Sequence, residues 1–199
     1  MTYDLILALI AFAAVSSITP GPNNLMLMAS GANFGLISTI PHMLGVSVGF
    51  VFMVVLVGAG LVQVFDAFPV TYTVLKGLSV SYLLFLAWKM ASNRKPPRGA
   101  DAGSQPMTFL QAAAFQWVNP KAWSMALTAL GVYAPPSPTL LNIVVVACVF
   151  GITNLPAITT WVLMGQQMSR FLNTPNRLMI FNVTAGLLLV ATLYPILWP

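Results

Sequence analysis

Apolar residues run through this chain in long blocks, with polar residues gathered in short clusters between them. A bilayer core needs about 20 mainly apolar residues per helix. The pattern predicts six such helices, over residues 5–33, 37–62, 74–91, 109–132, 141–164 and 178–197. The expected fold class is therefore an all-α integral membrane protein with six transmembrane helices. Every connection is short except residues 92–108, where RKPPRGADAGSQP reads as a flexible polar linker. The first block is too long for one straight span, and SSITPGPNNLMLMASG (residues 16–31) supplies the place for a break. The N-terminus is not signal-like: Met1 to Asp4 carries an acid and no basic residue, and the apolar run continues past the prolines. It is read as a retained first helix.

Composition sharpens this. Of 199 residues, 58% are hydrophobic and 6% charged, with mean hydropathy +0.88. Soluble domains carry about a quarter charged residues, so a soluble protein is excluded. A pI of 9.7 raises the question of nucleic acid, but the basic residues sit in loops beside apolar runs, where topology accounts for them. Lys89, Arg94, Lys95 and Arg98 surround the third loop, with Asp101, and Arg170 and Arg177 mark the fifth. The other side holds Asp4, Asp66 and only Lys76. The positive-inside rule then places loops three and five in the cytoplasm and both termini in the periplasm. Cys148 is the only cysteine and forms no intrachain disulfide. With one His, one Cys and no carboxylate in a span, no metal site and no cofactor is expected.

An internal repeat is present. TPGPNNLMLMASG (residues 19–31) aligns with NPKAWSMALTALG (residues 119–131), matching Pro20 to Pro120, Leu27 to Leu127, Ala29 to Ala129 and Gly31 to Gly131. Three helices separate the copies, so the halves face opposite ways across the membrane: an inverted three-plus-three repeat with helices 1 and 4 broken. The halves are residues 1–92 and 109–199, joined by residues 93–108. At 1.5 Å per residue, Pro20 lies about 24 Å beyond Asp4 and Pro120 about 20 Å beyond Met107, near mid-membrane.

A proline inside a helix removes one N–H and frees a carbonyl that lipid cannot satisfy. Thr19, Pro20, Gly21, Pro22, Asn23 and Asn24, with Asn119, Pro120 and Lys121, are therefore the candidate substrate-binding residues. The half-helix after Pro22 points a positive N-terminus inward, suited to an anionic group. The alternative is a structural kink. Lys121 is the one basic residue deep in a span; it holds a substrate carboxylate, carries the coupling proton, or snorkels to an interface. Asn154 and Pro156 in ITNLPAITT suggest a third break, with Thr159 and Thr160 bonding between helices. His42 is the second proton-coupling candidate. GVSVG (residues 45–49) matches a nucleophile pattern, but in an apolar helix Gly45 and Gly49 read as a packing face, repeated by Gly31 and Gly35. Such faces permit a homodimer.

SITPGPNN, the Gly-rich HMLGVSVGF, LKGLSVSYLLFLAWKM and FQWVNPKAW together resemble the lysine exporter/homoserine-threonine resistance (LysE/RhtB) family, and most the branch with the cysteine/O-acetylserine exporter. The resemblance covers essentially the whole chain. It implies an inner-membrane exporter of amino acids or derivatives driven by the proton motive force, with residues 19–24 and 119–121 lining the path. One departure stands in helix 3, where Ser79, Val80 and Ser81 precede Tyr82 in place of the family's Gly-Ala-Ala.

The expected function is secondary export of small amino acids or derivatives, not catalysis. With no buried carboxylate, the substrate ammonium must meet carbonyls, Asn side chains or an aromatic face such as Trp117 or Trp123. Alternatives are export of another small polar solute, a non-transporting assembly subunit, or a membrane hydrolase pairing Ser47 with His42.

Overall fold

The computed structural model describes residues 1–92, 105–135, 138–172 and 174–197. Among them there is helix and no strand. Arg94, Lys95, Arg98 and Asp101, and most of the predicted linker, lie outside the described residues.

The chain opens with α1 (Tyr3–Ile18), capped by the Thr2 hydroxyl, which accepts from the Leu5 N–H. Thr19 then turns extended, and Gly21 precedes α2 (Pro22–Leu56) in extended backbone. Proline suits the first turn of α2, where its missing N–H has no intrahelical partner to lose. α2 is two helical stretches joined at Gly35, whose φ of +79° glycine adopts without strain. One π-helical turn (Val57–Leu61), with Gly60 at φ +112°, leads to α3 (Val62–Ala67) and then α4 (Val70–Ala91).

The second half repeats the rhythm. α5 (Phe109–Phe115) starts in a Thr108–Gln111 capping box and passes into a 3₁₀ turn (Gln116–Val118). Asn119 is extended, and α6 (Pro120–Tyr133) follows. α7 (Leu140–Met168), α8 (Pro175–Ala191) and the short α9 (Tyr194–Leu197) complete the order.

Three stretches are long and apolar enough to cross a bilayer alone: Pro22–Ala67, Val70–Ala91 and Leu140–Met168. The other predicted spans are divided. The 5–33 block becomes α1 and the opening of α2, 109–132 is split around Asn119, and 178–197 is interrupted at Thr192 and Leu193.

α2 and α7 form the central pair. Their contact is backbone on backbone: a Cβ on Gly31 would stand 2.2 Å from the Val162 carbonyl, and one on Gly165 would stand 1.9 Å from the Met28 carbonyl. α5 packs on α2, α1 on α7, and α4 on α8. Leu9, Phe50, Met53 and Phe150 fill one buried cluster; Leu83, Phe115, Leu178 and Leu189 fill another. Ile37, Leu110 and Ile152 point outward, as lipid-facing side chains do.

Several expectations are corrected here. Gly45 and Gly49 are a packing face, but α5 of the same chain fills it, at Phe109 and Ala113, so it offers nothing to a second copy. Gly31 packs, whereas a Cβ on Gly35 would meet nothing within 4 Å; Gly35 is the turn residue. No third break exists at Pro156. α7 runs through it, and the ring sits on the exposed side. Thr159 and Thr160 donate to their own helix, at the Leu155 and Pro156 carbonyls, and not between helices. Ser79, the departure from the family pattern, is buried on α4.

Candidate functional site

The C-terminal end of α1 leaves carbonyls with no helical partner. Side chains from three other places take them. Asn24 donates through Nδ2 to the Ser17 and Thr19 carbonyls, both at 2.8 Å. Trp161 of α7 donates its indole N–H to the Ile18 carbonyl at 3.0 Å. Lys121 donates through Nζ to the Thr19 carbonyl and, at 3.5 Å, to that of Pro20. Each carbonyl from Ser17 to Pro20 thus accepts from a side chain.

The second break is joined to the first. Gln116, in the turn before Asn119, makes a two-way amide pair with Asn23: Asn23 Nδ2 donates to Gln116 Oε1 at 2.8 Å, and Gln116 Nε2 to Asn23 Oδ1 at 3.3 Å. Gln116 also donates to the Ala112 carbonyl. Asn119 caps α6, its Oδ1 accepting from the Lys121 N–H. No side chain caps the N-terminus of α2, whose first amides belong to Asn23 and Asn24.

Between the breaks lies a cavity of about 30 Å³, lined by Ser16, Ser17, Gly21, Asn23 and Asn24, by Gln116, Asn119 and Lys121, and by Asn154 of α7, with Val46 and Phe50 of α2 forming an apolar wall. A water needs about 10–15 Å³ of such space. The site as it stands admits water. Among the described residues, no acidic one lines it.

The expected residues therefore divide. Gly21, Asn23, Asn24, Asn119, Lys121 and Asn154 come together at the cavity, whereas Thr19 and Pro20 are exposed and outside the lining, their carbonyls bonded by Lys121. Pro22 and Pro120 open α2 and α6. Pro156 stays on the exposed face, away from the lining. His42 is buried, on the same α2 stripe as Val46 and Phe50, and among the described residues neither ring nitrogen has a hydrogen-bond partner. Ser47 donates to the Gly151 carbonyl at 3.4 Å, so it makes no nucleophile–base pair with His42.

Sequence reasoning missed Ser17, Gln116 and Trp161. Gln116 carried a usable signal, being an amide inside an apolar block four residues before Pro120. A double-mutant cycle of Asn23→Ala and Gln116→Ala, read by thermal unfolding in detergent, is expected to give a coupling energy of about 1 kcal/mol. Additive losses would mean the two amides are independently satisfied.

Apolar helices enclosing a polar cavity between two interrupted segments define a membrane transport protein. The chain belongs to the LysE-type translocator family, whose model matches residues 14–192. It is 29% identical, over 96% of both chains, to proteins named cysteine/O-acetylserine efflux protein from Escherichia coli (strain K12) and Shigella sonnei (strain Ss046). The protein of that name from Salmonella choleraesuis (strain SC-B67) has the same identity and coverage. No solved structure matches.

Proposed function

We propose that this protein is a secondary active exporter of small amino acids or their derivatives across a bacterial inner membrane, driven by the proton motive force. The observation that carries this is the meeting of two chain breaks at one polar cavity. One half-helix there ends in carbonyls and the next begins with uncapped amides. The pair suits a zwitterion: an ammonium group at the carbonyl end and a carboxylate at the amide end. The name carried by the relatives points to the same size and charge class.

The architecture proposed is six spans in an inverted repeat, broken in the first and fourth. Element pairing supports it. Exchanging the halves turns the α1–α7 contact into the α5–α2 contact, while the α2–α7 and α4–α8 pairs map onto themselves. Charge supports both termini in the periplasm, as read above, and the Gln166 side chain accepting from the Leu36 N–H puts the Gly35 turn on the side of the fifth loop.

His42 is the better proton carrier of the two candidates. The Lys121 ammonium is committed to carbonyls, whereas among the described residues neither nitrogen of the buried imidazole is engaged, so a proton that reached it would break no existing bond. Cells carrying the protein and fed dipeptides are expected to release a few small neutral amino acids several-fold faster than cells without it, and a protonophore should remove the difference. His42→Gln should keep facilitated release while losing its response to the gradient. If no solute is released faster from cells with the protein in the membrane, the assembly-subunit reading takes over.

A further inference from the structure

Lys121 lies across the first break, not beside it. Its ammonium group sits on the Thr19 and Pro20 carbonyls, and its stem passes so near Gly21 that a Cβ there would stand 2.5 Å from Cδ. A larger residue at 21 would have to displace this flexible stem; the backbone there is extended and open to any residue. The carbonyls that Lys121 occupies end α1, where the helix dipole adds its negative end. Among the described residues no acid lines the cavity, and this carbonyl cluster, outside the lining but reached from it by Lys121, is the built place for a cation, which the chain has filled with its own.

We propose that Lys121 is a tethered stand-in for the substrate's ammonium group and that loading is an exchange. The substrate's ammonium takes the Thr19 and Pro20 carbonyls, and the displaced Lys121 ammonium pairs with the substrate's carboxylate. This rests on the exporter reading and adds the rule by which the site selects. In the exchange no charge is left alone. An amine without a carboxylate adds a second cation and gives Lys121 no new partner. An acid without an amine draws Lys121 away and leaves the Pro20 carbonyl bare and that of Thr19 with Asn24 alone, and an unsatisfied carbonyl in a membrane interior is unfavourable. Only a molecule with both groups, one carbon apart, satisfies both sides. The same arrangement keeps the Pro20 carbonyl bonded, and gives that of Thr19 a second donor, when no substrate is present.

The test is ligand-dependent thermal unfolding of the purified protein in detergent, with L-serine as the zwitterion and L-serine methyl ester as the cation lacking a carboxylate. Binding to the folded state alone raises the unfolding temperature in proportion to occupancy. The wild-type protein is expected to prefer L-serine at least about tenfold in midpoint concentration. Lys121→Met, which empties the carbonyls and removes the partner of the carboxylate, should reverse that preference. Lys121→Gln retains an amide for the Thr19 carbonyl, guards against loss of folding, and should lose the preference. Wild-type behaviour in either folded variant overturns the proposal, as does a wild-type protein that responds to neither ligand or to both alike. Efflux separates the two readings. The reversal without transport removes the exporter and keeps the exchange site; transport with an unreversed preference does the opposite.

Discussion

Gly165→Ala and Gly31→Ala are each expected to lower the unfolding temperature sharply, and the double variant to leave little folded protein. Both glycines lie where α2 and α7 cross with their backbones in contact. The obstacles to a new Cβ are the Met28 and Val162 carbonyls, at 1.9 and 2.2 Å. A flexible side chain at such a distance could rotate away; a helix carbonyl moves only with its helix. Overpacking of this kind costs about 1–3 kcal/mol per site, and here separating the helices also disturbs Trp161, which directly precedes Val162 on α7 and holds the Ile18 carbonyl. Gly77→Ala and Gly131→Ala are the controls. A Cβ at either meets nothing within 4 Å, so alanine should be neutral or stabilising by up to about 1 kcal/mol through helix propensity. Equal responses at all four positions would remove the close crossing as the cause.

Asn24→Leu is expected to abolish transport and to cost stability as well. The side chains are similar in size, so packing is largely kept and the loss is one of hydrogen bonding. Thr19 keeps Lys121 as a donor, but the Ser17 carbonyl loses the bond that Asn24 gave it. A buried group left unpaired costs about 1–3 kcal/mol. The larger effect falls on the site, because Asn24 fixes the spacing between the end of α1 and the start of α2. Efflux should drop at least about a hundredfold, since small misplacements at a binding centre have such consequences. Asn24→Gln, which can reach the same carbonyls, should recover part of the activity. Near-normal efflux from Asn24→Leu would show that water holds these carbonyls as well as the amide does.

The breaks were legible because proline and glycine act locally. TPGPNN and NPK interrupt the helix wherever they stand, and the extended residues fall at Thr19, Gly21 and Asn119. The partners of those breaks were less so. Trp161 is 143 residues from Ile18, and Gln116 is 93 from Asn23; neither pairing leaves a mark in local periodicity. Identical strings also diverged in use. Gly31 and Gly35 share the spacing of Gly45 and Gly49, yet Gly35 makes a turn because a positive φ, not a close neighbour, is what its position demands. Pro156 shows the reverse case. A lone proline inside an otherwise continuous long helix leaves α7 whole, as Pro41 leaves the stretch of α2 that follows Gly35.

The ligands at the α1 end are main-chain oxygens, from Ser17 to Pro20, and every residue type carries one. A scan that replaces side chains one at a time would leave those oxygens in place and remove only what covers them: Asn24, Trp161 and Lys121. Such a map would chart the stoppers of the proposed binding site and not its walls.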